Sequence, residues 1–242
     1  MTMIIDGEMS FRYLQPSFDQ EMTPERKNTT VHISLKDVVL EGFLDIPTDP
    51  KGLVIFSHGS GSGRLSPRNN YVANILQQKG MATLLLDLLT ESEDRIYENR
   101  FDIDKLTNRL IKTTQWTQEH QRTKGLPIAY FGASTGAASA LRAAAFYGKN
   151  IKAVVSRGGR PDLAMDELYK VKAPTLLIVG SLDTYVISLN QRAYENLKCK
   201  KKLEIIPDAG HLFEEPGKLN EVAEFSSAWL LKWFDKNTEG HV

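Results

Sequence analysis

The chain predicts an α/β domain built on an eight-stranded, mostly parallel sheet with helices on both faces and no large cap domain. Three observations predict it. Two stretches of alternating apolar and polar residues open the regular part of the chain. Six continuous apolar runs follow, each about as long as a buried parallel strand. Amphipathic segments of helix length separate these runs, and each right-handed crossover lays its helix on one face of the sheet.

Residues 1–28 show no sustained period and end in the charged, turn-prone run Met22–Asn28, so they read as an N-terminal extension to a domain over 29–242. Val31–Leu35 and Leu40–Ile46 alternate around a polar turn at Lys36 and Asp37, the pattern of a hairpin at one sheet edge. The continuous runs are Leu53–Ser57, Ala82–Leu86, Ile128–Phe131, Ala153–Ser156, Thr175–Val179 and Leu203–Ile206. Helices are expected at Asn70–Lys79, Ile103–Gln121, Thr135–Tyr147, Leu163–Lys170, Ser188–Leu197 and Leu219–Phe234. Arg157–Ala173 alone separates two of the strands, which leaves room for a crossover helix but not for a helical cap.

Composition removes several classes of function. The 242 residues suffice for one domain with a large core, and 30 Lys and Arg balance 30 Asp and Glu. No net field draws the chain to nucleic acid or to an anionic membrane, so neither is an expected partner. Cys199 is the single cysteine, which excludes an intrachain disulfide and a multi-cysteine metal site. Lysines at 198 and 200–202 admit a thiol of lowered pKa, although an unreactive, partly exposed cysteine is the expected reading. The start, MTMIIDGEMS, is acidic and lacks a signal-like apolar run, and no segment approaches about 18 uninterrupted apolar residues. A cytoplasmic enzyme acting on a small molecule is the expectation.

In an open parallel sheet, ligands bind beyond the carboxyl ends of the strands. The run Ile128 to Ala138 is an apolar strand, then Gly132-Ala133-Ser134-Thr135-Gly136, then an alanine-rich helix. A Gly-x-Ser-x-Gly between strand and helix is a nucleophile elbow, in which the sharp turn exposes the hydroxyl and the helix N-terminus favours an oxyanion. Serine needs a base, and His211 lies in the loop Pro207–Pro216 after the last strand. His32, in the first strand, His120, at the end of a charged helix, and His241, in the tail, fit that role less well. The orienting acid should lie between serine and histidine in the chain. Asp183, at the end of the fifth apolar run, is favoured over Asp162, Asp166 and Asp208. After the first parallel strand, His58-Gly59-Ser60-Gly61-Ser62-Gly63-Arg64 supplies a glycine loop. Its Ser60 N–H, with Gly61 as second choice, joins the Thr135 N–H as the expected oxyanion hole, and His58 braces the loop.

Four segments in this order, His-Gly-Ser-Gly-Ser-Gly-Arg, Gly-Ala-Ser-Thr-Gly, Gly-Ser-Leu-Asp and Ala-Gly-His-Leu-Phe-Glu-Glu-Pro-Gly, resemble the α/β-hydrolase superfamily. Within it they are most similar to the dienelactone-hydrolase-like branch, over roughly residues 30–236. The resemblance implies a triad of Ser134, Asp183 and His211 and no cofactor. Dienelactone hydrolase proper uses a cysteine nucleophile where this chain has serine, so its substrate does not carry over.

Two other classes compete. A dinucleotide-binding Rossmann protein would use Gly59, Gly61 and Asp87, but its third glycine falls on Arg64 and two strands precede the motif. A non-catalytic binding protein on a hydrolase fold would not need all four catalytic elements. The expected reaction is hydrolysis of a small ester, thioester or lactone through an acyl-enzyme. Arg64, Arg157 and Arg160, all at the carboxyl edge, are candidates to hold an anionic substrate group, against the plainer reading that they pair with Asp87 and Asp162.

Overall fold

The alternating segments become Thr30–Ser34 (β1) and Val39–Asp45 (β2), an antiparallel pair in which Ile33, Leu40 and Leu44 face the core. β1 lies at the sheet edge, as the hairpin pattern predicts. These coordinates come from a computed structural model that describes residues 29–235; the expected extension 1–28 and the tail 236–242 lie outside the described residues. The buried runs form Leu53–Ser57 (β3), Ala82–Leu86 (β4), Ile128–Ala133 (β5), Ile151–Arg157 (β6), Thr175–Gly180 (β7) and Lys201–Ile206 (β8). The sheet order is β1-β2-β4-β3-β5-β6-β7-β8, with β3 to β8 paired in parallel and β2 antiparallel to β4.

Helices Pro67–Gln78 (α1), Glu91–Asp94 (α2), Ile103–Glu119 (α3), Gly136–Tyr147 (α4), Thr184–Asn196 (α5) and Lys218–Asp235 (α6) complete the layers. Val72 and Leu76 of α1 and Val222 and Leu230 of α6 pack on Val54, Phe56, Phe131 and Val155 on one face. On the other face Leu106 and Leu110 of α3, the alanines of α4 and Ala193 of α5 pack on Ile55, Tyr130, Val154 and Leu177. The successive Cβ positions of a strand alternate between these two cores, which is why the central strands read as unbroken apolar runs. No helix among the described residues is long and apolar enough to cross a membrane.

Three local departures from the sequence reading have identifiable causes. α1 starts three residues earlier than expected, because Ser66 caps it by accepting the Asn69 N–H and Pro67 occupies the first helical position. Between β4 and α3 the polar stretch folds into α2, closed by a capping box between Thr90 and Glu93, and a 3-10 turn at Tyr97–Phe101. The connection after β6 is a 3-10 segment, Pro161–Lys170, broken at Ala164, in place of a regular helix. It is the only structure inserted between β6 and β7, so no cap arises there among the described residues.

The chain leaves β3 for α1 and β4 on one side, then returns through α3 to β5 on the other side of β3. The carboxyl ends of β3 and β5 therefore flank a topological switch point, where a cleft opens in doubly wound sheets.

Candidate active site

β5 runs straight into Ser134, whose φ of 50° places a non-glycine residue in the left-handed region. Such backbone persists only where its surroundings hold it. Here the Ser134 N–H donates to Arg157 O at 3.1 Å, and the Arg160 N–H donates to Ser134 O at 3.0 Å. The two motif glycines are needed for close approach: a Cβ on Gly132 would lie 2.5 Å from Ala137 Cα, and one on Gly136 would fall on Ser57 O. Gly59 of the glycine loop lies as close to the elbow, with room for a Cβ only 3.0 Å from Ser134 Cβ.

Asp183 is the N-cap residue of α5, a position where an aspartate ordinarily accepts a helix N–H. It makes no such bond. Its Oδ2 instead lies 2.6 Å from His211 Nδ1, with the carboxylate 15 % exposed and the imidazole 39 % exposed. A carboxylate only accepts, so Nδ1 carries the proton in the neutral ring and Nε2 is the basic nitrogen. The loop bearing His211 is fixed at several points. Leu182 N–H donates to Ala209 O at 3.0 Å, Asp208 N–H to Ser181 Oγ at 2.8 Å, and Gly210 N–H to Glu215 Oε1 at 2.9 Å. Phe213 is buried beneath the loop. Gly158 packs on the histidine from the elbow side, where a Cβ would stand 3.5 Å from the ring. Glu215, which the sequence reading passed over, is thus a brace of the histidine loop; its only sequence signal was proximity to His211.

The competing acids are elsewhere. Asp162 is held by Arg160 at 2.9 and 2.8 Å, while Asp166 and Asp208 are exposed and not bonded to His211. Ser134 Oγ makes no hydrogen bond to the imidazole among the described residues; such bonds often tighten only around substrate.

The glycine loop differs from expectation in one respect. Ser60 N–H is not a free donor, because it donates to Thr135 Oγ1 at 2.9 Å and so ties the loop to the elbow. The Thr135 N–H has no hydrogen-bond partner among the described residues. Behind the loop, buried His58 donates from Nδ1 to Gly59 O and accepts the Leu88 N–H at Nε2, both at 2.9 Å. Burial pushes its pKa down, so it is a neutral brace.

Two of the three candidate arginines are already paired. Arg64 bridges Glu41 at 2.5 Å and Asp87, whose Oδ1 also accepts the Arg64 N–H at 2.6 Å. Asp87, the acid a Rossmann protein would turn to a ribose, is thereby engaged within the chain. Arg160 is clasped by Asp162. Arg157 is buried with no carboxylate partner among the described residues, and burial, followed by the like charge of Arg68, lowers its pKa to about 10. At Cys199 burial raises the thiol pKa and outweighs the lowering by Lys201, in keeping with the expected unreactive, partly exposed cysteine. No cluster of metal-ligating side chains occurs among the described residues.

This sheet order, elbow and histidine loop define an α/β-hydrolase. The profile of the Dienelactone hydrolase family matches residues 40–237, and the chain belongs to that family. The crystal structure of a dienelactone hydrolase from Anabaena variabilis is 52 % identical, with a TM-score of 0.83 over 86 % of this chain and 98 % of that one. Est1E from Butyrivibrio proteoclasticus shares the fold at 18 % identity, with a TM-score of 0.74 over 85 % of this chain and 99 % of that one. Two curated Mycobacterium tuberculosis proteins, provisionally named phosphoribosyl transferases, are 50 % identical over 215 residues, 89 % of this chain and 48 % of theirs. The chain spans about half the length of the curated relatives it matches.

Proposed function

We propose that the chain is a serine hydrolase that cleaves small esters, thioesters or lactones through an acyl-enzyme. The observation that carries this reading is the 2.6 Å bond between Asp183 and His211, on a loop packed against the elbow that strains Ser134. His211 Nε2 takes the proton of Ser134 as the hydroxyl attacks the carbonyl, and Asp183 stabilises the imidazolium. The Thr135 N–H receives the oxyanion, and the Ser60 N–H becomes the second donor by exchanging the Thr135 hydroxyl for it. His211 then returns its proton to the leaving group and activates water for deacylation.

Because only a broken 3-10 segment follows β6, no cap among the described residues builds a long acyl tunnel, and short acyl groups are the preferred substrates. The transferase name belongs to proteins of about twice this length and supports no reading of this half. The test is turnover of 4-nitrophenyl acetate, butyrate and dodecanoate by wild type and Ser134→Ala. Loss of at least about a thousandfold in a folded Ser134→Ala protein is expected, with the dodecanoyl ester slowest. Near-normal turnover in that variant would refute the assignment.

A further inference from the structure

Arg157 closes β6 beside the nucleophile, yet at 7 % exposure its guanidinium meets no carboxylate among the described residues. Ala153 and Val155 of the same strand lie in the core under α1 and α6, so Arg157, two residues on, points to that face. There Nη2 makes a long contact of 3.4 Å with Asn69 Oδ1, while among the described residues Nε is sealed from solvent without a partner and Nη1 is neither bonded nor sealed. A buried charge left unpaired is strongly unfavourable and calls for a counter-ion. Its charged neighbour is a second cation, Arg68, the residue before Asn69 in the first turn of α1. The Nε of Arg68 is also sealed and unpartnered, while its Nη1 holds the half-exposed Glu214 at 2.6 Å, the kind of surface pair that contributes little and exchanges readily. Arg68 also lines a cleft of about 400 Å³ with Ser60, Gly61, Ser62, Ser66 and Pro67, between the glycine loop and the start of α1, and the one carboxylate on its wall, Asp87, is neutralised by Arg64. In that first turn Pro67 has no N–H and the Asn69 N–H is taken by Ser66 Oγ, so the Arg68 N–H is the one left to face an anion among the described residues.

We propose that Arg157, Arg68 and the first turn of α1 form a subsite for a phosphate monoester group carried by the substrate, next to Ser134. The charge decides the class: once Arg68 exchanges Glu214 for the ligand, two guanidinium groups match a dianion, whereas a single carboxylate would leave one of them uncompensated. The inference rests on the serine-hydrolase reading for its link to turnover, but not for binding.

Binding is tested in the Ser134→Ala protein by thermal unfolding at pH 7.5 in sodium phosphate, sodium succinate or sodium chloride of equal ionic strength. Phosphate at about ten times its Kd should raise Tm by roughly 3–6 °C over chloride, and succinate by less. Arg157→Met should abolish the phosphate response without lowering Tm in chloride, since it removes an unpaired charge. Arg68→Gln, a surface change, should weaken the response and serves if Arg157→Met does not fold. An undiminished response in either folded variant, no response in the parent, or succinate equal to phosphate would overturn the proposal. In wild type, the ratio of kcat/KM for 4-nitrophenyl 3-phosphonopropionate to that for the butyrate should fall at least about tenfold in Arg68→Gln, and an unchanged ratio counts against the link to turnover. A phosphate response that survives in a wild type inert to both esters sinks the hydrolase reading and leaves the anion subsite standing.

Discussion

Asp183→Asn replaces a carboxylate oxygen 2.6 Å from His211 Nδ1 with a neutral group of the same shape. When His211 accepts the Ser134 proton, the imidazolium then lacks its counter-charge. With charge centres about 4 Å apart and an effective dielectric near 20, the lost attraction is about 4 kcal/mol, or a factor on the order of a thousand in rate. The half-exposed imidazole screens part of this, but the amide also permits the wrong tautomer, and the same change in a serine protease lowers turnover about ten-thousandfold. A fall in kcat/KM of about 10³ to 10⁴ on 4-nitrophenyl acetate is therefore expected. The fold should survive, because the Asp183 side chain makes no helix-cap bond to lose. Steady-state kinetics beside a thermal melt provide the assay. A loss under about tenfold in the folded variant, or a larger loss in Asp208→Asn, would refute the reasoning.

Gly136→Ala places a Cβ on the carbonyl oxygens of Ser57 and His58, which are backbone and cannot swing away. It should destabilise by about 1–3 kcal/mol and displace the elbow, and an unchanged Tm with full turnover would contradict the packing argument. His58, with an ordinary pKa of 6.5 that burial lowers in the folded chain, gains a proton more readily when unfolded. Its contribution is complete above about pH 6.5 and is lost as pH falls below that value, so Tm should drop between pH 7 and 5. His58→Gln should flatten this slope while lowering Tm at pH 7; equal slopes would exclude His58 as the source.

Much of this was legible before any coordinates. The central strands could be read because both faces of β3 to β6 are buried, which forces continuous apolar runs, and β3 and β4 end where the pattern ends. Ser134 and His211 stood out because an elbow needs glycine on both sides and because the other histidines lay away from the carboxyl edge. What remained hidden depended on distance across the fold. The bond of Ser60 N–H to the Thr135 hydroxyl joins residues 75 apart, and the Glu215 brace and the lack of a carboxylate beside Arg157 among the described residues are likewise matters of packing. The α2 segment escaped notice because its capping box serves only four residues, too few for any periodicity. Arg64 and Arg160 could not be told from Arg157 in sequence, since each has an acid within reach of its loop and only the tertiary arrangement shows which pairs form.

The central claim is that Ser134 is an activated nucleophile, and an active-site-directed fluorophosphonate tests it most directly, because only a serine whose proton is drawn off by a base reacts with the probe at speed. Intact-mass spectrometry followed by peptide mapping should find one adduct per chain, on Ser134, absent from Ser134→Ala and strongly slowed in Asp183→Asn. A folded wild-type protein that remains unlabelled, or one labelled at a different residue, would contradict the account.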